Sequence, residues 1–200
     1  FKIVPVATGC DRPPRERRVL KKETGLEILP WGRKVTPLMW TFLNAPSLES
    51  CLRDSVDLAH IVSLGFPVAT RKKLVVTVHD IGPLTHPQFF TDSKPWLFRR
   101  SYNHMVRFAD AIICVSQATA DDVIQYAGNA IAPRIHVVHE GVDAGYFSKD
   151  PIDLYGSLKQ MPPADVPFFM VTGAISPRKN IARVLKAFVR VKDVIEHNLV

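Results

Sequence analysis

An α/β fold, in which helices cover a parallel sheet, is what this 200-residue sequence predicts. Three observations carry the prediction. Short β-branched runs alternate with helical stretches, as in strand–helix–strand units. Four of those runs are near-continuous apolar segments, the pattern of strands buried on both faces. One of the intervening helices has a legible start at Ser116, whose hydroxyl can serve as N-cap.

Taken in order, residues 37–52 read as helical, broken near Pro46. The strand runs are Asp57–Val62, Lys73–Val78, Ala111–Val115 and Ile135–Val138, with helices between them at about 94–108 and 117–127. Asp121 and Asp122 bias the second of these helices toward the positive end of its dipole. From Gly141 to Pro167 the texture changes: Gly145, Pro151, Gly156, Pro162, Pro163 and Pro167 punctuate a stretch without periodicity, which reads as an interdomain linker. A strand at 168–172 follows, then a helix at 180–196 in which Ile181, Val184, Leu185, Phe188, Val191 and Ile195 keep helical spacing. The expected division is a first domain at 1–147, incomplete at its start, a linker at 148–166, and at 167–200 the beginning of a second domain, cut off after one strand and one helix.

A hydrophobic content of 46% is enough for a real core. No apolar run approaches the roughly 20 residues that span a bilayer, and Phe1 opens no leader peptide. A start at Phe suggests a fragment. Cys10, Cys51 and Cys114 are odd in number and widely spaced, so neither a disulfide framework nor a zinc site is indicated, and a reducing cytoplasm is the expected location. The net charge of +7 is uneven, because residues 1–40 hold nine Lys/Arg against four Asp/Glu. Arg12, Arg15, Arg17, Arg18, Lys21 and Lys22, interrupted by Pro13 and Pro14, form either a solvated basic loop or a surface for anionic lipid head groups. No nucleic-acid partner is expected, since no aromatics interleave with these cations to stack bases.

The stretch from Val171 to Ile181 stands out. Gly173 breaks an apolar run, and a helix beginning near Asn180 places Arg178 and Lys179 at its N-terminus, where free N–H groups and the dipole favour an anion. The turn is either a phosphate or diphosphate site or a solvated connection; it is neither a P-loop nor a dinucleotide fingerprint. His79 and Asp80 lie just past the end of a strand, where open α/β sheets place ligands. They are either ligand contacts or turn-forming residues, and a metal-phosphohydrolase reading fits them poorly. His60 is either a core histidine or a strand-end ligand. His86 reads as part of the same loop as His79, lining the same cleft. In His139-Glu-Gly-Val-Asp143, Gly141 suits a backbone other residues avoid and Asp143 caps a turn. No nucleophile elbow, H-E-x-x-H or Cys–His arrangement appears.

These pieces together resemble the family 4 retaining glycosyltransferases, of GT-B architecture: two facing Rossmann-like domains with the active site in the cleft between them. The matching stretches are Asp57-Leu-Ala-His60, Val75-Val-Thr-Val-His-Asp-Ile-Gly-Pro-Leu84 with Pro87, Ala109-Asp-Ala-Ile-Ile-Cys-Val-Ser116, Val137-Val-His-Glu-Gly-Val-Asp143 with Phe147, and Gly173-Ala-Ile-Ser-Pro-Arg-Lys-Asn180 with Ala187-Phe188. The resemblance spans about residues 35–196. It implies transfer of a sugar from a nucleotide-diphosphate donor to an acceptor hydroxyl with retained configuration. No cofactor and no metal is implied, the nucleotide sugar being the substrate. Lys179 matches the family lysine that pairs with the donor diphosphate, with Arg178 and Gly173 beside it; His79 and Asp80 match the motif near the transferred sugar and acceptor. His60, His86 and Ser116 are further candidate cleft residues.

This chain departs from the pattern at Ala174, where many relatives have a second basic residue, and at Val62, where some have a second histidine. The family's paired glutamates and its glycine-rich first strand are not found, and Phe1 to Val6 looks more like a later strand, so the chain is expected to be an inactive central slice. The form Thr77-Val-His-Asp80 hints at mannosyl transfer in surface polysaccharide or glycolipid assembly, to a sugar or lipid-linked acceptor at the inner face of a membrane. A GT-B epimerase or phosphorylase, or a non-catalytic carbohydrate-binding relative, are the alternatives.

Overall fold

The computed structural model describes residues 2–9, 14–63, 67–90, 95–147 and 166–200, so all but the last residue of the expected 148–166 linker lies outside the described residues. They form an α/β fold with parallel sheets, as the sequence predicts. They fall into two compact units, one within Phe1–Thr85 and Ser93–Glu140, the other within His86–Asp92 and Gly141–Val200.

The first unit opens with a small strand–helix–strand. Strand β1 (Val6–Ala7) and β2 (Glu27–Ile28) pair in parallel around helix α1 (Pro14–Thr24). The basic segment is therefore helical from Pro14 onward, where the reading as a loop interrupted by prolines is corrected. Pro14 takes the first helical position, where a missing N–H costs nothing. Glu16 in the first turn and Lys21 and Lys22 in the last match the helix dipole. The helix stops at Gly25, whose φ of 69° closes it, with its N–H on the Lys21 carbonyl at 3.0 Å.

Helix α2 (Gly32–Leu43) begins earlier than the expected 37 and ends before Pro46, at Asn44 in the left-handed conformation. Residues Leu48–Ser50 make a separate 3-10 turn. Pro37 lies inside α2 and removes one helical hydrogen bond. Burial offsets the loss: Thr36, Pro37, Trp40 and Thr41 form one buried stripe, Thr41 Oγ1 donates to the Pro37 carbonyl at 2.6 Å and Trp40 Nε1 to the Pro46 carbonyl at 2.7 Å.

The main sheet has four parallel strands in the order β3 (Leu58–Ile61), β4 (Lys73–Val78), β5 (Ala111–Cys114), β6 (Ile135–Val137). Short helix α3 (Gly82–Thr85) and α4 (Pro95–Phe108) connect β4 to β5, and α5 (Gln117–Ala127) connects β5 to β6. One core joins Leu74, Val76, Val78, Ile112 and Cys114 of the strands to Tyr102, Met105 and Val106 of α4 and Ala120 and Val123 of α5. Each fully buried Val or Ile there contributes about 1.5–3 kcal/mol. The expectation of strands buried on both faces is corrected: Leu74, Val76 and Val78 are buried while Lys73 is exposed and Val75 and Thr77 are half-buried. Crossovers of one hand that keep stepping in one direction stack their helices on a single face.

Ser116 caps α5 as the sequence predicts, its Oγ accepting from Thr119 N at 3.1 Å. At the C-terminus of α4, Arg134 Nη1 donates to the carbonyls of Val106 (2.9 Å) and Ala109 (2.6 Å), satisfying groups the helix leaves open.

In the second unit, β7 (Phe168–Phe169) and β8 (Asn198–Leu199) pair in parallel around α6 (Ile181–Val191). The expected strand 168–172 and helix 180–196 are both shorter, and a second strand follows the helix. Two residues are too few to show a period of two. Val184, Leu185 and Val189 on α6 are left exposed.

Candidate active site

In parallel sheets ligands collect beyond the carboxyl ends of the strands, and in the first unit this rim is a stitched set of polar groups. Val62 follows β3, His79 follows β4, Val115 and Ser116 follow β5, and His139 and Glu140 follow β6. His79 Nε2 donates to the Val62 carbonyl at 2.9 Å, and its Nδ1 lies 3.0 Å from Glu140 Oε1. Both partners are acceptors, so meeting both at once takes a ring carrying two protons. The His79 carbonyl accepts from Thr119 Oγ1 at 3.1 Å, and His139 Nδ1 donates to the Val115 carbonyl at 3.2 Å. The rim is thus tied from β3 to β6 while the His79 ring stays about half exposed, at 46% of its side-chain surface.

Asp80 does not orient His79. Its Oδ1 accepts from Gly82 N at 3.0 Å and turns the chain into α3, the turn-forming alternative of the sequence reading. Ser116 is spent on Thr119, through the backbone N–H and a 3.0 Å contact to Oγ1. His60 is exposed rather than a core histidine; its Nε2 meets Thr77 Oγ1 at 2.9 Å, on the sheet face away from the core. His86 belongs to the second unit, its ring stacked on Phe89 at 6.3 Å between centroids. Asp143 turns the chain as expected, its Oδ1 accepting from Gly145 N at 2.7 Å.

Glu140 is the rim residue the sequence reading missed as a site residue. It stands in the quoted His139–Asp143 stretch, but no spacing rule links it to His79 across two intervening strand–helix connections. Val62 contributes a backbone carbonyl, which any side chain there would also supply.

In the second unit, Gly173 and Lys179 come together. Gly173 has a φ of +119°, which L side chains rarely adopt, and a β-carbon on it would stand 3.2 Å from Lys179 Cε and 3.6 Å from Nζ. The lysine stem therefore lies flat over a glycine backbone. Residues Pro177–Lys179 form a 3-10 turn and Asn180 is left-handed at φ 52°, so Arg178 and Lys179 precede α6 instead of occupying its first turn. Asn180 makes no side-chain cap, so the start of α6 lacks that acceptor. The Arg178 guanidinium lies 6.0 Å over the Phe90 ring, within cation–π range.

Two buried groups of the first unit are held in their protonated forms. Burial pushes the Cys114 thiol up to about 11, so it stays protonated. Burial likewise raises the Tyr102 phenol. A polar depression lined by Asp57, Arg71, Lys72, Lys73 and Asp110 sits at the amino ends of the strands, opposite the rim. Among the described residues no group of three or more His, Cys, Asp or Glu could hold a metal ion, and no helix is long and apolar enough to cross a membrane.

The described residues thus define an α/β protein whose four-stranded parallel sheet carries His79 and His139 beyond the carboxyl ends of its strands. Residues 3–146 match the family model described as Glycosyltransferase Family 4, and the chain belongs to that family. Among solved structures it is similar to Alr3699/HepE of Anabaena in complex with UDP-glucose, with a TM-score of 0.49, 15% identity, and coverage of 96% of this chain and 60% of that one. It is also similar to Alr3699/HepE in complex with UDP, with a TM-score of 0.41, 18% identity, and coverage of 65% and 42%. The chain thus spans 42% and 60% of the length of those two chains. No curated protein matches its sequence.

Proposed function

We propose that the protein transfers a sugar from a nucleotide-diphosphate donor to an acceptor hydroxyl with retained configuration. The observation that carries this reading is the Gly173–Lys179 turn in a chain of Glycosyltransferase Family 4. The missing β-carbon of Gly173, at φ +119°, lets the Lys179 stem seat over the backbone, and that seat holds a cation at the turn for the diphosphate to pair with. As the glycosidic bond breaks, negative charge grows on the leaving diphosphate, and Lys179 stabilises it where a divalent cation would otherwise be needed. Arg178 is held on Phe90 and joins as a second cation.

His79 serves the transferred sugar or the acceptor. Its exposed ring donates through Nε2, and a sugar hydroxyl is an acceptor of the same kind as the Val62 carbonyl now bound there. Asp80 supports this loop by turning it at Gly82. Mannose is the sugar proposed, with a role in surface polysaccharide or glycolipid assembly. A lipid-linked acceptor fits the exposed cations Arg15, Arg18, Lys21 and Lys22 of α1, which would hold the protein peripherally on the inner, anionic face of a membrane.

The test is to incubate the intact protein with a panel of nucleotide-diphosphate sugars and sugar or lipid acceptors, and to measure nucleotide-diphosphate release and the anomeric configuration of the product. One donor is expected to turn over with retention. His79→Ala is expected to lose transfer while keeping nucleotide binding. Binding and turnover of no donor at all would overturn the proposal.

A further inference from the structure

We infer that Glu140 is a positioning residue for His79, holding the imidazole by Nδ1 so that Nε2 faces the ligand. The inference rests on the reading of the rim as the sugar side of a glycosyltransferase. The ring meets one acceptor at each nitrogen: the Val62 carbonyl at 2.9 Å and the Glu140 carboxylate at 3.0 Å. These partners come from opposite sides of the sheet, Val62 after edge strand β3 and Glu140 after edge strand β6. A single contact leaves an imidazole free to turn about its χ2 bond, which is a soft torsion. Two contacts on opposite nitrogens fix the ring plane.

Glu140 is itself anchored. The preceding residue, His139, donates to the Val115 carbonyl at 3.2 Å, and Val138 N donates to the Cys114 carbonyl at 3.0 Å, so the backbone leading to Glu140 is tied to the end of β5. The His79 backbone is held through Thr119. Asp80, the nearer carboxylate in sequence, accepts from Gly82 N through Oδ1, whereas the carboxylate at His79 Nδ1 is that of Glu140. The two contacts differ in how easily they exchange. The His79 side chain is 46% exposed, so a sugar hydroxyl can reach Nε2 and replace the Val62 carbonyl there. The Glu140 contact stays in place during that exchange, and the incoming hydroxyl restores the second contact that fixes the ring plane. Oriented donors lose little freedom on binding, and misplacement of such a group costs about a hundredfold in rate when it reaches an ångström.

The experiment compares the intact wild-type protein with His79→Ala, Glu140→Ala, Glu140→Gln and the double variant His79→Ala/Glu140→Ala. The pair is exposed, so its removal leaves the fold in place. The first readout needs no substrate: the ring-nitrogen NMR signals of His79, assigned by their loss in His79→Ala, shift in Glu140→Ala. Unshifted signals overturn the inference whatever the activity. The second readout is kinetic. Glu140→Ala lowers kcat about tenfold with unchanged affinity for the nucleotide diphosphate, Glu140→Gln, which keeps an acceptor oxygen, recovers part of the loss, and the double variant is no slower than His79→Ala. Additive losses, or a wild-type rate in Glu140→Ala while His79→Ala fails, overturn the role of Glu140 and leave the transferase reading standing. A wild-type rate in His79→Ala overturns the transferase reading of the rim, and the ring signals still decide whether Glu140 holds the imidazole.

Discussion

Lys179 lies across Gly173 so closely that a methyl group on the glycine would stand 3.2 Å from the lysine Cε. Gly173→Ala therefore acts twice. The alanine must adopt a φ of +119°, a strain of about 1–3 kcal/mol, and it pushes the lysine stem off its seat. A lowered unfolding temperature together with weaker nucleotide-diphosphate binding is expected, read by thermal denaturation and by titration. A variant that binds as the wild type does would show that the contact with Gly173 does not place Lys179.

Ser116→Ala separates capping from catalysis. Its hydroxyl satisfies Thr119 N at the start of α5, and loss of such a cap costs about 1 kcal/mol. Urea unfolding should show that loss while sugar transfer proceeds at the wild-type rate. A large drop in rate without loss of stability would return Ser116 to the list of ligand contacts.

Much of this architecture was legible in the sequence because its signals were long or chemically specific. Lys73–Val78 and Ala111–Cys114 have enough β-branched residues to read as strands, and Ser116 marks the start of α5. The two-residue strands β1, β2 and β8 carry no period, and tertiary pairing alone makes them. The one-sided burial of the sheet was hidden because Val75 and Ile113, on the uncovered face, are as apolar as their buried neighbours. Helix α1 was hidden by the Pro13-Pro14 pair in the sequence, although Pro14 suits a first helical position. In the candidate site, the Gly173–Lys179 turn was visible as a local motif. The His79–Glu140 pair was not, since it depends on the order of strands in the sheet.

Asp110 gives a pH signature. Lys73 Nζ donates to its Oδ1 at 2.7 Å and Leu74 N to its Oδ2 at 2.9 Å, and the Lys73 bond, then the Leu74 bond, hold the carboxyl below its usual value. A carboxylate depressed in the folded state contributes stability above its unfolded pKa and loses it as pH falls through the folded one. Asp110→Asn is therefore expected to be less stable at neutral pH, by no more than about 1 kcal/mol for so exposed a pair, and to converge with the wild type below about pH 4. Denaturant unfolding across pH 3 to 8, roughly the carboxylate range and above, checks this; a difference that widens on acidification would contradict it.

The cations of α1 predict salt-sensitive attachment to anionic vesicles. Replacing Arg15, Arg18, Lys21 and Lys22 by Glu should abolish co-sedimentation with phosphatidylserine vesicles, each cation being worth about 1 kcal/mol near the surface. Raised salt should weaken wild-type binding in the same assay. Binding that survives the reversals, or that ignores salt, would assign the helix to solvent.

The most direct test of the account is the rate of nucleotide-diphosphate release by the intact protein and by Lys179→Ala, measured on one donor with the nucleotide affinity of each. A charge-assisted contact to phosphate is worth about 1.5–3 kcal/mol, or about one to two orders of magnitude. Lys179→Ala is predicted to lose that much in kcat/KM while unfolding at the wild-type temperature, since the side chain is exposed on a turn. Equal rates and equal affinities in the two proteins would contradict the assignment of Lys179 to the donor diphosphate, and with it the proposed transfer.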